Sequence, residues 1–122
     1  MLVGVRVALG VSGGIAAYKA CELASLLRKA GAEVRVVMTQ SAREFVSPMT
    51  FETLSGNRAS VDMFDHAWEI EHISLAKWAD ILLIAPATAN TLAKIAGGIA
   101  DDLLSTVAIA SPVPIAVAPA MN

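Results

Sequence analysis

Two clusters of small polar residues carry whatever chemistry this 122-residue chain performs. The first is Ser12-Gly13-Gly14, placed between the apolar run Arg6 to Val11 and a segment with helical spacing. A strand that passes through such a loop into a helix leaves backbone N–H groups and the positive helix end facing one spot. That arrangement holds an anion without a dedicated cation. Glycines let the anion approach the backbone closely, and the Ser12 hydroxyl is expected to add a donor. The second cluster is Pro86-Ala-Thr-Ala-Asn-Thr91, directly after the apolar strand Ile81 to Ala85. Side chains this small leave room for a flat ring, and their hydroxyls, amide and backbone groups can bond to it. Phosphate loop and ring pocket together describe a phosphorylated, ring-bearing ligand.

The pattern narrows the ligand further. The dinucleotide fingerprint G-x-G-x-x-G is absent, since Gly10, Ser12 and Ile15 stand at its places. The second strand ends in Met38-Thr39-Gln40, without the acid that would hold an adenosine ribose diol. No G-x-x-x-x-G-K-[ST] sequence occurs, so a nucleoside triphosphate site has no support. Thr39 can instead donate to a terminal phosphate. A mononucleotide is favoured.

These residues need a scaffold, and the periodicity supplies one. Ala16, Ala20, Leu23, Leu27 and Ala30 recur at helical spacing from Ile15 to Ala30. Arg28 and Lys29 suit the negative end of that helix, and Gly31 stops it. Val34 to Met38 reads as the second strand, completing a βαβ unit. Short helices are expected around Ser41 to Phe45 and after Pro48, with a turn at Ser55-Gly56-Asn57. Val61 to Phe64 reads as a short strand, Asp65 to Ile70 as exposed loop, and Ile73 to Trp78 as a helical turn. Ala89 to Ala96 is expected to be helical, Asp101 or Asp102 to cap a helix running to Ala110, and Pro114 to Ala118 to form the last strand. Alternating strands and helices predict a Rossmann-like open parallel α/β sheet flanked by helices, a flavodoxin-like three-layer sandwich. Its ligand site should lie outside the carboxyl ends of the strands.

Composition removes several alternatives. Hydrophobic residues make up 56% of the chain but aromatics only 5%, so the excess is aliphatic, as in strands buried on both faces of a parallel sheet. Part of it is expected to cover subunit contacts. A net charge of −2 gives no electrostatic footprint for nucleic acid. The single cysteine, Cys21, excludes an intrachain disulfide, and neither His66 nor His72 has metal-ligand spacing with it, so no metal site is expected. The apolar segment Thr106 to Met121 contains Pro112, Pro114 and Pro119, which argue against a membrane helix. No signal peptide is read at the amino terminus. A cytoplasmic protein of one domain, 1–122, is expected.

Four segments in order then carry a family resemblance: Ser12-Gly-Gly-Ile-Ala-Ala-Tyr-Lys19, His72-Ile-Ser-Leu-Ala-Lys-Trp-Ala-Asp80, Pro86-Ala-Thr-Ala-Asn-Thr91 and Pro119-Ala-Met-Asn122. They resemble the flavin-dependent cysteine decarboxylases, above all the phosphopantothenoylcysteine decarboxylase portion of bifunctional coenzyme A biosynthesis flavoproteins. The resemblance implies FMN bound between subunits of a homotrimer, with trimers in some members forming dodecamers. It implies 4′-phosphopantothenoylcysteine as substrate and 4′-phosphopantetheine as product. In that reaction the flavin oxidises the cysteine moiety to a thioaldehyde, which permits loss of carbon dioxide. By the same resemblance Ser12, Gly13 and Gly14 hold the FMN phosphate region with Thr39 nearby. Thr88, Ala89, Asn90 and Thr91 contact the flavin, and Ala120 approaches it. Phe45 is either a flavin neighbour or an ordinary core aromatic. His72 matches the catalytic base and Asn122 the asparagine that meets the substrate carboxylate. Asp101 and Asp102 are better explained by capping and solvation than as catalytic carboxylates, and Trp68 and Trp78 as packing residues.

The family pattern continues beyond Asn122 into a substrate-covering segment with a catalytic cysteine. Cys21, on the first helix, is expected to be a small core residue instead. A piece of a longer polypeptide, incomplete at its carboxyl end, is therefore expected. The competing readings are a catalytically silent FMN-binding or regulatory oligomer and, less well matched, a flavin prenyltransferase relative.

Overall fold

The computed structural model describes residues 1–61 and 68–121, with side chains at 1–61 and 73–121. Four strands form one parallel sheet: β1 (Arg6–Val11), β2 (Glu33–Met38), β3 (Ile81–Ala87) and β4 (Ile115–Pro119). Their spatial order is β2-β1-β3-β4. The connection leaving β1 runs to one side of it and the later strands to the other. The order therefore reverses between β1 and β3, which is where a crevice opens at the carboxyl ends of an open α/β sheet.

Each face of the sheet has its own core, because successive side chains on a strand alternate. Val7, Leu9 and Val11 of β1 join Val34, Val36 and Met38 of β2 on one face. They pack there beneath α1 (Ala17–Lys29) and α2 (Pro48–Ser55). Ala17, Ala20 and Ala24 turn the smallest surface of α1 to the sheet, and Phe51 of α2 is fully buried. Burying that ring contributes about 1.5–3 kcal/mol. The opposite face carries Ala8, Leu82 and Ile84 against Leu75 and the apolar helix at Leu103–Ala110, including Leu103, Leu104 and Val107. On this side Gly10 makes the space that Leu104 fills: a Cβ there would lie 2.5 Å from Leu104 Cδ1.

The remaining helices are α3 (Trp68–Trp78), α4 (Ala89–Gly97) and α5 (Leu103–Ala110), with a 3₁₀ turn at Ser41–Glu44. Asp102 caps α5 through a capping box with Ser105, so the expected choice between Asp101 and Asp102 resolves to the latter. Helix α3 begins earlier than expected, since 68–70 are helical rather than loop. Only Ser60 bridges to Val37, and Val61 belongs to no strand. The rest of the expected strand and loop, 62–67, lies outside the described residues, and His66 with it.

Strand β4 stands at the sheet edge with Ile115 and Val117 each somewhat under half exposed. Among the described residues no helix is long and apolar enough to cross a membrane.

Candidate functional site

Every sequence-expected site residue whose position is described, except Phe45 and His72, follows the carboxyl end of a strand. Ser12, Gly13 and Gly14 follow β1 and Thr39 follows β2. Thr88 to Thr91 follow β3, and Ala120 follows β4. The four strand ends thus bring together residues separated by more than a hundred positions.

The loops are tied to one another by Ser12. Its fully buried hydroxyl donates to the Pro86 carbonyl and accepts from the Thr88 N–H at 2.9 Å. The Ser12 N–H also donates to Pro86 O, at 3.2 Å. The donor expected of Ser12 is thus spent inside the protein, and what it gives the site is the fixed spacing of the β1 and β3 loops.

Around that staple, unbonded donors converge. The N–H groups of Gly13, Gly14 and Ile15 make no hydrogen bond among the described residues. Thr88 caps α4, its hydroxyl accepting from Thr91 N, and the first N–H groups of α4 have no helical carbonyl ahead of them. Thr39 accepts from Ala42 N at 3.1 Å, which leaves its own hydroxyl proton to donate outward. Gly14 has φ +144°, a conformation that a side chain strongly disfavours. At Gly13 the constraint is space, since a Cβ would meet Ser41 Cβ at 2.4 Å.

Two adjoining cavities result. One, of about 360 Å³, is lined by residues that mostly carry polar groups, among them Thr39, Ser41, Thr88, Asn90, Thr91 and Lys94, together with Gly13. The other, of about 460 Å³, is walled by Gly14, Ile15, Ala16, Pro86, Ala120 and Met121. Gly13 and Thr88 line both. A donor-rich cradle joined to an apolar slot fits a phosphate with its attached ring system. The glycines at the junction are the cradle that a Cβ would fill.

Some expected contacts stand apart. Phe45 is half exposed, so its alternative as a core aromatic does not hold, and it lines neither cavity. Ala89 is exposed on the first turn of α4. His72 lies within α3, with its side chain outside the described residues, as is Asn122. Cys21 packs partly buried against the α1 face of the core, and burial pushes its thiol pKa up. That is the environment of an inert thiol. Trp78 packs in the α3 face of the core, with the Arg35 guanidinium 4.4 Å from its ring centroid.

Sequence reasoning missed Ser41 and Lys94. Ser41 stands two positions beyond Thr39, and Lys94 is four residues after Asn90, on the same side of α4. The Lys94 ammonium pairs with Asp101 Oδ1 at 3.0 Å and Asp102 Oδ2 at 3.6 Å. Hydrogen bonding to Asp101 raises its pKa, against a smaller opposing effect of burial. Among the described residues no group of three His, Cys, Asp or Glu could hold a metal.

The family described as Flavoprotein matches residues 1–122. The chain belongs to the flavoprotein family. It is 50% identical, over 99% of its length, to the coenzyme A biosynthesis bifunctional protein CoaBC of Vibrio vulnificus strain YJ016. It is 52% identical, over its whole length, to that of Bacillus subtilis strain 168. It spans 31% and 30% of those two relatives. Among solved structures, the FMN-dependent cysteine decarboxylase SpaF superposes with a TM-score of 0.90 at 40% identity, covering 100% of this chain and 71% of that one. A PPC decarboxylase variant complexed with pantothenoylaminoethenethiol superposes with a TM-score of 0.80 at 37% identity, covering 97% and 68%.

Proposed function

We propose that this chain binds flavin mononucleotide across the two joined cavities and serves as the decarboxylase part of an enzyme of coenzyme A biosynthesis, acting on 4′-phosphopantothenoylcysteine. The observation that carries the reading is the convergence of four strand-end loops on one donor-rich cradle beside one apolar slot. The 50% identity to CoaBC and the likeness to a PPC decarboxylase support the substrate assignment.

In this reading the phosphate lies against the open N–H groups of Gly13, Gly14 and Ile15 and the first turn of α4. The Thr39 hydroxyl donates to it from the β2 side. Ile15, Pro86 and Ala120 wall the ring and exclude water from one side of it. The bound cofactor supplies a two-electron acceptor for the cysteine moiety, easing departure of carbon dioxide. His72 takes or returns a proton at the substrate, and the Asn122 amide holds the substrate carboxylate. Ile15 (79% exposed) at the slot and the neighbouring Tyr18 (58%) leave apolar surface that a second copy would cover. That surface supports self-association, and our reading is a homotrimer or larger homo-oligomer of a cytoplasmic protein.

The test is to titrate the chain with FMN while following quenching of flavin fluorescence, then to measure carbon dioxide released from 4′-phosphopantothenoylcysteine. Binding with release that His72→Asn abolishes supports the proposal. Binding without release points to the silent flavin-binding alternative, and no binding overturns both.

A further inference from the structure

We propose that Lys94 is the counter-charge of the phosphate subsite and sets the preference of this chain for a phosphorylated over an unphosphorylated flavin. The inference rests on the flavin reading above, but it concerns a residue outside the motifs that led to that reading.

Among the described residues Lys94 is the one cation lining the first cavity, where every other donor is a neutral hydroxyl, amide or backbone group. Its side chain is only 21% exposed, so its charge is poorly screened by solvent. Its two acidic partners are not equivalent. Asp102 lines the cavity too, but its Oδ1 accepts from Ser105 N at 2.7 Å and Ser105 Oγ at 2.6 Å, fixing it as the cap of α5. Asp101 is 59% exposed and lies outside the cavity lining, and it is held by its ion pair with Lys94.

Two consequences follow. Lys94 neutralises the Asp102 carboxylate, which would otherwise stand alone in a cavity meant for an anion. An arriving phosphate also competes with the exposed Asp101 for the same ammonium, whose flexible stem can turn between them. An unphosphorylated flavin gains from neither effect.

The experiment titrates the full chain with FMN and with riboflavin by calorimetry, comparing wild type, Lys94→Met and Asp101→Asn. Lys94→Met is expected to weaken FMN by at least about tenfold and leave riboflavin within about twofold, as loss of one charge-assisted contact requires. Asp101→Asn is expected to tighten FMN alone. If Lys94→Met weakens both flavins equally, Lys94 is merely a clamp between α4 and α5 and the proposal falls. If that variant does not fold, the exposed Asp101→Asn decides: unchanged FMN affinity overturns the proposal. If wild type binds neither flavin, the flavin reading fails separately. The stabilisation of the chain by inorganic phosphate then decides for Lys94, supporting it if lost in Lys94→Met and overturning it if kept.

Discussion

Gly13 and Ser41 are pressed together so closely that a single methyl group at Gly13 would lie 2.4 Å from Ser41 Cβ and 3.1 Å from the Ser41 carbonyl carbon. The obstacle is the root of a side chain and its backbone, which cannot swing away. Gly13→Ala must therefore push the turn after β2 off the loop after β1. We expect a stability loss of about 1–3 kcal/mol and a fall in FMN affinity of at least about tenfold, from spreading donors that must act together. Urea unfolding and flavin fluorescence titration measure the two.

Ser12→Ala tests the staple between the loops. It removes the donor to Pro86 and leaves the partly buried Thr88 N–H without its acceptor. An unsatisfied buried polar group costs about 1–3 kcal/mol. Flavin affinity should fall as well, although this hydroxyl need never touch the ligand. Unfolding midpoints unchanged from wild type would contradict this account.

Gly10 and Leu104 should behave as a coupled pair. Gly10→Ala alone is expected to cost about 1–3 kcal/mol by overpacking, since its methyl would fall 2.5 Å from Leu104 Cδ1. The obstructing atom is a side-chain tip, so Leu104→Val in the same chain should recover part of that loss. A double-mutant cycle with a coupling energy near zero would show that the β1–α5 contact does not limit the packing.

Asp80 gives an acid dependence. Its carboxylate accepts from the Arg6 N–H at 2.8 Å and from the Arg6 guanidinium at 3.4 Å. The backbone bond foremost, with the side-chain bond behind it, lowers its pKa below the usual carboxylate value. A carboxylate lowered in the folded state stabilises above its unfolded pKa, and the contribution is lost as pH falls through the folded one. Melting temperature should therefore decline on acidification below the ordinary aspartate range, and Asp80→Asn should shallow that decline. Parallel pH profiles for the two proteins would exclude the contribution.

Much of this arrangement was legible in the chain, for identifiable reasons. The β1–α1–β2 unit shows because Ala20, Leu23 and Leu27 recur at helical spacing while the strands are continuous apolar runs, although the residues of α1 that the fold buries fully are Ala17, Ala20 and Ala24. The loop at 12–14 and the β3–α4 junction at 86–91 show because small polar residues after an apolar strand have few other uses. The start of α3 did not show. In the sequence Trp68, Ile70, Ile73, Leu75 and Ala76 taken together do not recur at helical spacing, so the periodic signal vanishes. Lys94 was hidden for a different reason: a lysine late in a helix reads as a solvated charge. Only the fold reveals that α4 brings it to the cavity where Thr39 and Gly13 meet. Nor could the sequence tell that Ser12 turns its hydroxyl inward to Pro86.

Since all four strands point the same way, the connections at Ala30–Ala32, Ala79–Asp80 and Ser111–Pro114 gather at the rim remote from the cavities. Mutational drift, or a fused epitope, at those three bends would tax only folding. Selection for ligand handling can then act on the other rim almost independently, and the two demands need not compromise one another.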